Sequence, residues 1–487
     1  MSLKKLSGET LVYGLSSVMG RMLNFVLVTP FITRVLDEGE NGEVGNLMFW
    51  VAFLIALLVF RMDTAVFRFA SRGDYDPAAV VRRCQRLVLG FTLVVIVPLL
   101  LFSDRIAGLL NAVYATTYVR LVLITVAFDV LSAVPLARLR LQQRAWFFLT
   151  VNLSNVVLNI LLIYGLLFYL PEYLPDYFNP GFGVGYYLLA LAVAAGLRYV
   201  MLVVDGLLRP VPGEESKTEL GGPALGKLFS YTLPLTVVSV AGIANGLVGP
   251  TVLIGYDADQ AGYFRAALSM AVFLNLFVTA YQYAAEPFFF RQSGSDLATA
   301  DRTIYADAMR AYGLVGTLAS AGILLGLPWL QYFIGADVRP GLVVLPLLLA
   351  ANFLFGLYSN LSIAYKLTDQ TFLGGVIALV GSIFAVGGPL LFTATYGIWA
   401  PAVGMVACFL VMCGLAYLVS RRHFPVDYPL GRILLYVGLA SGACLLGNVS
   451  DHLLWRATLL ILLTAAFALL ERKWLIRTFG GGAAGAA

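Results

Sequence analysis

The sequence predicts an all-α polytopic membrane protein of about fourteen transmembrane helices, two six-helix halves followed by two further helices. Three observations carry this. Of the 487 residues, 60% are hydrophobic and 12% charged, about half the charged share of a soluble domain. The apolar residues fall in unalternating runs near twenty residues long. Such runs suit helices crossing a hydrocarbon core about 30 Å thick, whereas a membrane barrel would show segments of about ten residues with period two. Finally, short strings of the first half recur in order in the second.

Apolar windows between charged or Gly/Pro-rich breaks predict helices near 10–34, 45–69, 87–103, 117–137, 147–170, 183–205 and 227–254. The remainder lie near 260–284, 310–330, 341–363, 371–394, 397–420, 431–449 and 452–470. With the N-terminus in the cytoplasm, 24 of the 32 Lys and Arg residues fall on the inner side. Only Arg34, Arg105, Arg120, Arg339 and Arg456 fall outside. This excess places both termini in the cytoplasm and favours an even number of spans. Three arginines belong to neither set: Arg21, Arg61 and Arg265.

Helix 1 carries the first of them. Arg21 stands ten residues after Leu11, about 15 Å along a helix and so near mid-membrane. A guanidinium there costs at least about 2.5 kcal/mol and needs a partner. The span ends at Arg34 and an acidic turn without a small-residue cleavage site, so it reads as a retained helix rather than a signal peptide. Helix 2 runs inward from about Gly45, with Arg61 a little over a turn below its midpoint and Asp63 beside it. Arg61 could also form a structural bridge to Asp63 or to Asp129.

Helix 4 holds Asp129 ahead of Pro135, and helix 5 holds Asn152, Asn155 and Asn159 on one helical face. That asparagine stripe either lines a cavity and meets sugar hydroxyls or hydrogen-bonds to a neighbouring helix. Asn245 on helix 7 and Asn275 on helix 8 have the same two readings. Arg265 opens helix 8 near the outer side, where it faces a cavity or snorkels to headgroups. Glu286 lies at the inner end of that helix, as Asp205 does on helix 6. Asp63, Asp129 and Glu286 are the candidates for binding a coupling H⁺ or Na⁺, since intramembrane carboxylates do this in carriers. His423 and His452 sit in loops, too peripheral for a proton relay. The cysteines, Cys84, Cys408, Cys413 and Cys444, have no metal-ligand spacing.

The recurring strings are LVYGLSSV at 11–18 with FSYTLPLTV at 229–237, GEVGNL at 42–47 with DQAGYF at 259–264, and FGVGYYLLALAV at 182–193 with YGIWAPAVGMVA at 396–407. Six spans separate the copies, so both run the same way through the membrane. That is a parallel repeat about an axis along the membrane normal. It divides the chain into a lobe at 1–208, a polar linker at 209–226, a second lobe at 227–424, extra helices at 425–479 and a flexible Gly/Ala tail at 480–487. Two such bundles leave a cavity that opens to either side as they rock.

The chain resembles the polysaccharide flippases of the multidrug/oligosaccharidyl-lipid/polysaccharide superfamily, relatives of lipid II flippases and MATE exporters. The resemblance rests on YGLSSVMGRMLNFVLVTPFITRVLDEGENGEVG at 13–45, FRMDTAVFRF at 60–69, VPLARLRLQQRAWFF at 134–148 and NLSNVVLNILLIYG at 152–165. YTLPL, AAEPFFF at 284–290 and YGIWAPAVG at 396–404 add to it. It implies two lobes in a V around a central cavity and alternating access. It also implies transfer of an undecaprenyl-pyrophosphate-linked oligosaccharide to the outer leaflet of the bacterial cytoplasmic membrane. Arg21, Arg61 and Arg265 then become the pyrophosphate contacts. Beyond that substrate and the bilayer, a monomer is expected, with a glycan polymerase as a candidate contact, no nucleic acid and no bound cofactor.

Two other readings compete. A MATE-like drug exporter would want acidic or neutral walls for organic cations, which three arginines repel. A membrane-embedded polymerase or ligase would want catalytic groups on an outer loop. The longest outer loop, 171–183, has two carboxylates and no basic partner. GxxxxGK[ST] does not occur, so the chain carries no P-loop for ATP.

Overall fold

The computed structural model describes residues 22–70, 75–108, 115–209, 221–292, 302–368 and 370–479. All their regular structure is helical. The long elements are α1 (22–35), α2 (Glu38–Ala70), α3 (Pro77–Leu101), α4 (Ala115–Leu141), α5 (Ala145–Tyr173), α6 (Val184–Leu208) and α7 (Leu225–Leu253). They continue with α8 (Ala258–Gln292), α9 (Thr303–Leu325), α10 (Arg339–Tyr365), α11 (Phe372–Tyr396), α12 (Trp399–His423), α13 (Leu430–Gly447) and α14 (Leu453–Leu470). A short amphipathic helix, α15 (Arg472–Phe479), follows. Among the described residues thirteen helices, α2 to α14, are long and apolar enough to cross a membrane. The start of the first predicted span, with Arg21, lies outside the described residues.

Helix starts depart from the hydropathy windows where local capping outweighs apolarity. Asp37 and Glu40 form a capping box that starts α2 at Glu38. Asp76 accepts from the backbone N–H groups of Ala78 and Ala79, and with Pro77 in the first turn it starts α3 ten residues before the apolar window. Those ten residues include Arg82, Arg83 and Arg86. Hydropathy marks the depth of the oil, not the length of the helix.

The apolar packing falls into two bundles. One buried cluster draws on residues from Val28 to Ala190, with Leu228 added from the first turn of α7. The larger cluster draws on residues from Ala241 to Ile433. The bundles meet along α2, α7 and α8. The last pair, α13 and α14, packs outside on α9 through Ala321, Tyr436, Ala440, Leu463 and Phe467.

A buried carboxylate fastens this pair. Glu471 is fully buried, accepts from Tyr436 Oη at 2.5 Å and pairs with Arg310 of α9 and with Arg432 at 3.1 Å. Trp474 of α15 donates to Asp307 at 2.7 Å and lies under the Arg310 guanidinium. Arg432 is half exposed and adds little. Removing the carboxylate, however, leaves Arg310 largely buried without a counter-charge, a loss of about 3 kcal/mol for pairs of this kind. Glu471→Ala is expected to lower the thermal midpoint in detergent and to expose α15 to protease. An unchanged midpoint would remove the ionic fastening from this account.

Candidate functional site

A cavity of about 1160 Å³ lies between the bundles, lined by α2, α4, α5, α7, α8, α10, α11 and α12. Its lining is mainly apolar, and the neutral polar side chains in it gather on one side. The α2 wall carries Met48, Phe49, Ala52, Ile55, Ala56 and Val59, one apolar stripe at helical spacing. The opposing wall is also largely apolar, with Leu268, Phe355, Phe409 and Met412 among its residues, but it adds Ser239, Asn245, Ser269, Asn275, Asn352 and Tyr358. Asn275 Nδ2 donates to Asn352 Oδ1 at 3.0 Å, and Asn352 Nδ2 donates to the Leu348 carbonyl at 2.9 Å. This chain of donors fixes both amides.

Cations stand at the ends. Arg61 enters the lining where α2 breaks, and both Phe60 and Arg61 adopt left-handed backbone, with φ of 50° and 53°. Two consecutive non-glycine residues in that region cost roughly 1–3 kcal/mol each and survive only when packing holds them. The hold is aromatic: the Phe60 ring packs on Phe91 at 5.5 Å and on Phe229 of α7 at 5.7 Å. Beyond the break the Arg61 carbonyl accepts from the N–H groups of Thr64 and Ala65 and restarts the helix. Among the described residues Arg61 has no ion-pair or hydrogen-bond partner, and its Nε is buried and unsatisfied. The buried Oδ1 of neighbouring Asp63 is unsatisfied too. Arg61 is therefore bridged neither to Asp63 nor to Asp129.

Arg140 joins the lining from α4, stacked over Phe67 at 4.9 Å. Its sequence neighbours are spent elsewhere. Asp205 of α6 is buried and accepts from Arg138 at 2.6 Å and from both terminal nitrogens of Arg144 at 2.6 and 2.8 Å. One carboxylate thus holds two arginines of the 138–144 corner in place.

At the other end α2 crosses α8 backbone to backbone. A Cβ on Gly262 would stand 1.9 Å from the Glu38 carbonyl oxygen, and one on Gly42 would stand 2.4 Å from that of Ala258. Only glycine allows this approach. Arg265 of α8 lies here, its Cδ 3.0 Å from where a Cβ on Gly45 would sit. Its Nη1 donates to Asn41 Oδ1 of α2 at 2.6 Å.

Other expected residues fall elsewhere. Asn245 and Asn275 reach the cavity, but Asn152, Asn155 and Asn159 are absent from its lining. This corrects the sugar-contact reading of the helix 5 stripe. Asn152 donates back to the Phe148 carbonyl, and Asn159 is buried among neighbouring helices; of α5 only Phe148 faces the chamber. Asp129 also lies away from the lining, paired with Arg198 of α6 at 2.5 Å. Glu286 belongs to α8, its side chain outside the described set. Sequence reasoning missed Asn41, Arg140 and Asn352. Asn41 sits inside a stretch read as a turn, although glycines at 39, 42 and 45 repeat at the three-residue spacing of a close helix crossing.

No protein-family model and no curated protein matches the sequence. Solved structures do match in shape. The lipid II flippase MurJ in an inward closed conformation superposes with a TM-score of 0.71 at 14% identity, covering 96% of this chain and all of that one. The fold is the MurJ and MATE fold. An inward-facing MATE-family multidrug resistance transporter of the MOP superfamily aligns at a TM-score of 0.61 and 16% identity, over 85% of this chain and 94% of its own. A MOP-superfamily transporter from Pyrococcus furiosus, described as having a binding pocket of reverse polarity that suggests a different function, aligns at 0.58 and 15%, over 86% and 95% of the chains.

Proposed function

We propose that the chain is a flippase that carries a lipid-linked oligosaccharide diphosphate across the bacterial cytoplasmic membrane by alternating access of its two lobes. The observation that carries this reading is Arg61, a cation with no hydrogen-bond or ion-pair partner among the described residues, at a cavity of about 1160 Å³. That volume exceeds the roughly 300–1,000 Å³ of drug-sized pockets. A guanidinium in a low-dielectric passage pairs best with a carboxylate or phosphate, and bidentately. The asparagines and serines set into the opposing wall offer polar contacts to sugar hydroxyls, while the apolar α2 wall suits nothing charged. Undecaprenyl pyrophosphate is the carrier lipid we assign, with both termini cytoplasmic and H⁺ or Na⁺ as the coupling ion. Of the acids expected to couple, Asp63 has the strongest geometry, since it lines the cavity and Asp129 is occupied by Arg198.

The MATE-like alternative is weaker, because Asp63 is the one carboxylate among the lining residues and Arg61, Arg140 and Arg265 oppose it. The test is transbilayer movement in proteoliposomes of a fluorescent prenyl-diphosphate trisaccharide, with ethidium efflux measured beside it. Faster movement of the sugar lipid than in protein-free vesicles, with no ethidium efflux, supports the proposal. Ethidium efflux without sugar-lipid movement would replace it with drug export.

A further inference from the structure

The cations at the two ends of the cavity are too far apart to serve one headgroup. From Gly45, beside Arg265, to Val59, just before the break at Arg61, α2 rises about 21 Å. A diphosphate spans a small fraction of that, and the α2 wall between is apolar. Arg265 is also held differently from Arg61. Its guanidinium donates to Asn41 Oδ1 across the bundles at 2.6 Å. Asn41 is fully buried, and its Nδ2 donates to the carbonyls of Leu36 and Asp37, each at 2.9 Å. The amide is thereby locked with its oxygen toward Arg265. It is a neutral, single-point acceptor, which a phosphate offering two charged oxygens would outbid for the same guanidinium. Beyond this point the turn before α2 and its first turn carry Asp37 and Glu38, which act on Asp259 at the start of α8, so the charge next to the crossing is acidic.

Building on the flippase reading, we infer that Arg265 is a second diphosphate station, separate from Arg61, and that an anion arriving there takes the guanidinium from Asn41. The bond it breaks ties α8 to α2 at the glycine crossing. Arrival at the second station, rather than first binding at Arg61, then loosens that end of the cavity. A ligand can shift this equilibrium only by binding the loosened state better, and the freed guanidinium supplies that difference.

The glycine crossing provides its own reporter. The Cβ of Ala258 is 3.6 Å from where a Cβ on Gly39 would sit, within the spacing of a disulfide. The full-length Gly39→Cys/Ala258→Cys protein in nanodiscs is oxidised with and without farnesyl diphosphate, inorganic pyrophosphate or farnesol, and the 39–258 disulfide is quantified by mass spectrometry. Farnesyl diphosphate is expected to slow cross-linking several-fold and farnesol to leave it unchanged. In Arg265→Gln, which keeps a donor for Asn41 but loses the charged fork, farnesyl diphosphate still binds and cross-linking no longer responds. Asn41→Asp, which turns the latch into an ion pair, blunts the response while keeping Arg265. An equal response to inorganic pyrophosphate supports the station and assigns recognition to the diphosphate alone.

A ligand that binds wild type without slowing cross-linking, or slows it equally in Arg265→Gln, overturns the second station and leaves the flippase reading standing. Absence of farnesyl diphosphate binding to wild type overturns both.

Discussion

Arg61→Gln is expected to weaken farnesyl diphosphate binding about tenfold to a hundredfold and to stop movement of the labelled sugar lipid in proteoliposomes. Hydrogen bonds to charged groups contribute about 1.5–3 kcal/mol, which converts to that range. The substitution is clean for a physical reason. Glutamine and arginine are both unbranched at Cβ and bear a similar cost in left-handed backbone, and among the described residues Arg61 makes no side-chain hydrogen bond or ion pair that a glutamine would forfeit. Folding, read by the thermal midpoint, should therefore be unchanged. Arg61→Lys should recover part of the affinity, because the charge returns without the planar fork that grips two oxygens. Unaltered affinity in Arg61→Gln would detach the cation from the substrate.

The second large effect is at the glycine crossing. Gly262→Val must push the Glu38 carbonyl from 1.9 Å to ordinary contact beyond 3.4 Å, and the obstacle is backbone rather than a movable side chain. Overpacking of this kind costs typically about 1–3 kcal/mol, and here the strain is relieved by parting α2 from α8. The 39–258 cross-link should form much more slowly than in the parent, and sugar-lipid movement should fall because the closed arrangement at that end is no longer reached. Gly90→Ala is the matched control, since a Cβ there meets nothing within 4 Å and the residue lies mid-helix in α3. Alanine should slightly stabilise it by lowering backbone entropy in the unfolded chain. Rapid cross-linking in Gly262→Val would show that the crossing absorbs a side chain and is not the closed end proposed here.

The helices were legible because each apolar run answers to one solvent. All thirteen spans, α2 to α14, overlap their hydropathy windows, and the disagreements at Glu38 and Pro77 are caps whose polar residues a hydropathy window discards. The site was legible only where a charge was anomalous. Arg61 and Arg265 stood out as arginines with no place at either membrane surface, and both line the cavity. Arg140 was hidden by its neighbours. In a cluster with Arg138 and Arg144 it reads as ordinary surface charge, until Asp205 engages the other two. The asparagine stripe of helix 5 failed for the opposite reason, because a polar face shows periodicity without naming its neighbour. Asn41 and the left-handed pair at Phe60 and Arg61 were invisible. Their roles depend on a second bundle more than a hundred residues away, Arg265 for one and Phe229 for the other.

The central claim is that an anionic lipid headgroup occupies the chamber between the bundles, and a structure of the full-length protein in nanodiscs with the prenyl-diphosphate trisaccharide bound tests it most directly. The account predicts diphosphate density within hydrogen-bonding reach of Arg61 or of an Arg265 freed from Asn41, with the sugars against Asn275 and Asn352. Density on the outer face instead, for example in the apolar groove of about 420 Å³ beside Phe384, Phe392 and Trp399, with the chamber holding no headgroup, would contradict it.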